Sequence, residues 1–137
     1  MLVINCIVLI IFKNIAAMQT LCALANEMAC RAFSDDEPET AHQRIPLDQY
    51  ISLVGPLQRQ FTNSEEAKNL FEDALVECGV DTAETFWDWF PLRIQPGKNK
   101  QKAMETSGLH LHRDSWYSGL YAQNNWWAPI YPLEPNR

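Results

Sequence analysis

Residues 109–130 read Leu-His-Leu-His-Arg-Asp-Ser-Trp-Tyr-Ser-Gly-Leu-Tyr-Ala-Gln-Asn-Asn-Trp-Trp-Ala-Pro-Ile. How this stretch is read decides the fold class. From Leu109 to Trp116 apolar and polar residues alternate weakly, and from Gln123 to Ile130 aromatic side chains dominate. Both patterns suit β-strands, where side chains two apart share a face. Pro129, Pro132 and Pro135 then mark an exit from the sheet.

Upstream, residues 85–94 are aromatic and apolar, which predicts a strand broken by Pro91, and the polar residues 95–107 predict a loop. Further back the period changes. Residues 14–33 carry Ile15, Met18, Cys22, Ala25 and Ala29 at helical spacing, widened by Leu21, Leu24 and Met28. The acidic, proline-containing residues 34–39 end that helix. Pro46 to Ile51 opens a short helix expected to stop near Gly55-Pro56. Another starts at Thr62 or Asn63, where Glu65 and Glu66 suit the positive N-terminal end, and runs through Leu70, Phe71, Ala74 and Leu75 to Cys78. Gly79 is its natural stop. Helices over 14–80 followed by strands over 85–137 predict an α+β domain rather than alternating βαβ units.

With 137 residues the chain fits one domain of the common size, roughly 100–150 residues. Its 47% hydrophobic and 20% charged residues are enough to build a core. A net charge of −6 argues against a nucleic-acid partner, which needs a basic face. The four cysteines (Cys6, Cys22, Cys30, Cys78) contain no C-x-x-C pair, so reduced thiols are expected rather than a zinc site or a disulfide framework.

Residues 1–13 form an apolar N-terminal segment. Leu2 to Phe12 is apolar apart from Asn5 and Cys6, and is too short for a bilayer span of about 20 residues. Its length matches the core of a signal peptide, and Ala23-Leu24-Ala25 resembles a cleavage site. However, no positive charge precedes the run, Lys13 follows it, and the cleavage site falls within the first helix. The expectation is therefore a strand or helical lead-in, or an upstream extension of the gene assignment that does not belong to the mature protein. A cytoplasmic location without a membrane partner follows, with a secreted form as the alternative.

The chemistry centres on His112-Arg113-Asp114. On a strand, His112 and Asp114 point the same way, and an imidazole with a carboxylate makes two of the three ligands of the facial triad of non-haem Fe(II) oxygenases. On these three residues alone the favoured reading is an ordinary strand end with a surface Arg–Asp pair. The neighbouring residues reverse that preference. His112-Arg113-Asp114-Ser115-Trp116-Tyr117, followed by Gln123-Asn124-Asn125-Trp126-Trp127-Ala128-Pro129, resembles a group of bacterial proteins related to phytanoyl-CoA dioxygenase. Their pattern is H-R-D-T-W-Y followed by Q-x-N-W-W-x-P, and here Ser115 replaces the threonine while keeping a hydroxyl. Pro91-Leu92-Arg93-Ile94 is similar to that group's R-L-R-V strand with its first arginine changed. The residues from Gly55 to Thr62 are similar to its G-P-L-x-x-x-F-T segment. The likeness extends over about residues 20–137.

This resemblance implies a double-stranded β-helix, or jelly roll, with helices on one side and residues 14–137 as part of an oxygenase domain. It implies Fe(II) as cofactor, 2-oxoglutarate as cosubstrate, and His112 and Asp114 as the first two metal ligands. The family pattern places the ligand directly before Arg-Asp, which selects His112 over His110. Gln123 and Asn125 would share a strand face and reach the 2-oxoglutarate, while Trp126 and Trp127 fill the core. Arg93 faces the same cavity or pairs with an acidic neighbour. The implied reaction is hydroxylation of a C–H bond in a small molecule whose identity the fold does not reveal. The family's distal histidine and its 2-oxoglutarate-binding arginine have no counterpart, since no histidine follows Asp114 and the one later arginine is Arg137. The expectation is a truncated jelly roll, inactive alone, with open strand edges prone to self-association. The alternative is a non-catalytic binding or interaction domain derived from that fold.

Overall fold

The computed structural model describes residues 10–34, 36–87, 90–94 and 124–131. Four helices organise them: α1 (Ala16–Phe33), α2 (Ala41–Arg44), α3 (Leu47–Thr62) and α4 (Glu65–Glu77). Along α1, Ala17, Leu21, Ala25, Met28, Ala29 and Phe33 are buried, a stripe repeating at three and four residues. Small alanines in that stripe let neighbouring backbones approach. The helix packs mainly on α4 and next on α3. Tyr50, Val54, Leu57 and Phe61 form the matching stripe of α3, and Ala67, Ala74 and Leu75 that of α4.

Two ends of these helices are closed in ways the residues explain. Ser64 caps α4 by accepting a hydrogen bond from the Ala67 amide at 3.2 Å. At the other end Gly79 adopts φ +82°, its amide bonds to the Val76 carbonyl at 2.9 Å, and Val80 bonds back to Leu75 at 3.0 Å. That pair of reversed bonds is a Schellman closure, which the positive φ of a glycine permits without steric cost. The expected glycine stop is thus present, whereas the start falls at Glu65 after Ser64 instead of at Thr62 or Asn63, since α3 itself continues to Thr62.

α1 begins differently. Its N-cap position is Ile15, whose side chain has no acceptor. The Glu77 carboxylate, at the far end of α4, accepts from the Ala16 amide at 2.7 Å and from the Ala17 amide at 3.0 Å. The contact places the start of α1 beside the end of α4, so the two helices run antiparallel.

The expected break at Gly55-Pro56 does not occur, and α3 continues through Pro56 to Thr62. An internal proline loses one backbone hydrogen bond and costs about 3 kcal/mol. Continuing the helix buries Leu57 and Phe61 to 2% and 4% exposure. Each such side chain contributes roughly 1.5–3 kcal/mol, so the two together outweigh the proline. Gly55 helps, because the residue before a proline is kept from helical geometry partly by its Cβ, which glycine lacks.

The α+β class is corrected by the structure. Helix accounts for 57% of the described residues, and no strand is found among them. The jelly roll inferred from the resemblance is therefore not the architecture of the described residues, and they offer no strand edge for self-association. Two segments show why the strand pattern misled. Trp87 and Phe90 lie on the helices: Phe90 stacks on Phe71 at 4.9 Å and meets Phe61 edge-on at 5.7 Å, while Trp87 meets Phe71 edge-on at 5.4 Å. Leu92 is buried in the same core, and its carbonyl accepts a hydrogen bond from the Gln58 amide at 2.9 Å. Aromatic and branched residues here serve helix packing, and the backbone is satisfied by a side chain in place of a neighbouring strand. The second segment, residues 124–131, packs alongside α1 and is described next. Among the described residues no helix is long and apolar enough to cross a membrane.

Candidate functional site

Of the residues singled out by the H-x-D reading, His112, Asp114 and Gln123 lie outside the described residues, as does His110. Asn125 is described and exposed, at the head of a segment that α1 holds in place. The attachments of that segment are specific. Phe12, just ahead of α1, stacks on Trp126 with ring centroids 5.4 Å apart and planes inclined by 22°. The Cys22 thiol faces the Pro129 carbonyl at 3.7 Å. Ile130 packs against the helical core, and the Tyr131 hydroxyl donates to Asn26 Oδ1 at 2.9 Å.

Leu92 and Ile94 belong to that same core. His112 and Asp114 lie in sequence between these two segments, and residues 95–123 are outside the described residues.

Trp126 and Trp127, expected in a core, are 39% and 72% exposed. One face of Trp126 is covered by Phe12. Arg93 is exposed too, and projects from the segment held by Gln58.

The electrostatics are modest. Burial pushes the Tyr131 hydroxyl above the ordinary tyrosine range, with further contributions from Cys30, Glu39 and Glu37. Burial likewise raises the Cys22 thiol, which keeps it protonated and a poor nucleophile or metal ligand. Cys78 is raised by burial and then by its neighbour Glu77. Cys22, Cys30 and Cys78 are free thiols, in agreement with the spacing that predicts no cross-linking among them. His42 lies on α2, remote in sequence from the H-x-D. Among the described residues no cluster of three or more histidine, cysteine, aspartate or glutamate side chains is placed to hold a metal ion.

Four residues that organise this region escape a reading by periodicity: Phe12, Asn26, Glu77 and Tyr131. A signal existed for one of them. Glu77 is an acidic residue in the last turn of a helix with no basic residue there, unfavourable to its own helix dipole, and α1 begins at an isoleucine that cannot cap. Both oddities are resolved by the single contact between them.

No family model matches the chain, and comparison with curated proteins and with solved structures returns no match.

Proposed function

We propose that this chain supplies two iron ligands, His112 and Asp114, to an Fe(II)/2-oxoglutarate-dependent oxygenase, with Gln123 and Asn125 directed at the cosubstrate. One observation carries the reading: two tryptophan-containing motifs, His112 to Tyr117 and Gln123 to Pro129, follow one another with the residue types and order of the phytanoyl-CoA dioxygenase-related group. The donor chemistry suits the metal. A neutral imidazole nitrogen and a carboxylate oxygen are the pair that Fe(II) oxygenases use, leaving positions open for cosubstrate and oxygen. With iron bound, such a site couples decarboxylation of 2-oxoglutarate by O2 to hydroxylation of a C–H bond. On the protein side, Asp114 offsets part of the metal's charge, and the Asn125 side-chain NH2 can donate to a dicarboxylate oxygen.

No histidine follows Asp114 in these 137 residues, and Arg137 is the one later arginine. On this reading the chain by itself binds Fe(II) weakly and turns over no 2-oxoglutarate. The test is an anaerobic Fe(II) titration of the purified chain beside His112→Ala, Asp114→Ala and His110→Ala, with succinate assayed in air. The expected outcome is weak binding, abolished by the first two substitutions and kept by the third, without succinate. Binding indifferent to His112 and Asp114, or a greater loss in the His110 variant, overturns the ligand assignment. Succinate production from this chain overturns the claim that its ligand set is incomplete.

A second reading, a non-catalytic interaction domain, is favoured by the 72% exposure of Trp127 beside the half-covered Trp126, since aromatic residues are enriched at protein interfaces. It is distinguished by the same titration: no Fe(II) binding by the unaltered chain supports it against the oxygenase.

A further inference from the structure

We draw no further inference here: the strongest candidate, the apolar surface patch where Phe12 stacks on Trp126, each with exposed apolar neighbours in sequence (Ile10, Ile11 and Trp127), has nothing in the structure to show what covers it.

Discussion

Replacing Glu77 with alanine removes the acceptor for two backbone amides, Ala16 and Ala17, at the start of α1. A lost N-cap costs about 0.5–2 kcal/mol, and a carboxylate near a helix N-terminus contributes about 0.3–1 kcal/mol more by its charge. Two terms reduce the total. Ala16 is exposed, so water replaces its bond, and α4 gains a few tenths of a kcal/mol by losing a negative charge from its C-terminal turn. The Ala17 bond is partly buried and is the harder one to replace. The expected net loss is about 1–2 kcal/mol, which for a domain of this size lowers Tm by roughly 3–8 °C. Glu77→Gln should lose nearly as much, because only one of its two terminal atoms accepts. Urea denaturation followed by helical circular dichroism measures the change, and hydrogen exchange at Ala16 and Ala17 locates it. An independent arm is Ile15→Asp, which gives α1 an acceptor of its own at an extended N-cap position (φ −78°, ψ 111°). It should restore most of the loss in the Glu77→Ala background and give little in the native one, where Glu77 already occupies the site. If Glu77→Ala leaves the midpoint unchanged, or the two substitutions are additive, the inter-helix cap contributes nothing and the reasoning fails.

Pro56→Ala should stabilise the protein by about 1–2 kcal/mol: a helix interior disfavours proline by about 3 kcal/mol relative to alanine, and the freer unfolded chain returns part of that. A higher urea midpoint confirms it, and a lower one would mean that Pro56 has a packing role. Leu75→Ala, at 1% exposure on α4, should cost about 2–5 kcal/mol through lost transfer energy and the cavity left behind, read from the same titration. Tyr131→Phe should cost about 1 kcal/mol at neutral pH through the lost bond to Asn26. The raised Tyr131 pKa gives a further expectation with a definite sign. Its stabilisation is complete below the unfolded value near 10 and is lost as pH rises through the higher folded value, so the variant should show a shallower alkaline decline than the parent.

The helices α1 and α4 were legible in the sequence because each carries its own evidence within a dozen residues, whereas the one-turn α2 was not expected. The stripe Leu21, Ala25, Met28 identifies α1, and Glu65 with Glu66 on one side and Gly79 on the other bracket α4, although its start was expected at Thr62 or Asn63 rather than after Ser64. Gly55-Pro56 misled because a local breaker was set against a burial term visible only in three dimensions, the insertion of Leu57 and Phe61 into the core. The described parts of the strands expected over 85–94 and 123–130 are not strands, for a related reason, and the strand expected over 109–116 lies outside the described residues. Alternation and aromatic content report that side chains will be half-buried, without saying whether they face a sheet or a row of helices. Phe90 against Phe71 and Ile130 against the core meet that demand on helices. Of the candidate site, the sequence made the residue types legible and little of their arrangement. Asn125 is described and exposed, whereas His112, Asp114 and Gln123 lie outside the described residues.

The contacts at Gln58, Cys22 and Asn26 bear on the functional reading through their position in the chain. Gln58 holds the backbone at Leu92, and Asn26 and Cys22 hold it at Tyr131 and Pro129. The two attachments flank the H-x-D in sequence, one about twenty residues before His112 and the other about fifteen residues after Asp114. They belong to different helices, since Gln58 lies on α3 while Cys22 and Asn26 lie on α1. The packing of α1 against α3 therefore sets the separation of these two attachments. α1 itself starts at the amides that Glu77 caps. A loss at Glu77 acts on one tether and leaves the Gln58 tether on α3 in place. If the proposed ligands depend on both attachments, their apparent metal affinity scales with the fraction of chains in which α1 is formed, so it falls only under conditions where Glu77→Ala leaves that fraction well below one. A site independent of the helical core would keep its affinity while Tm drops. Such a dependence would join the capping contact to the proposed ligands without direct contact between them.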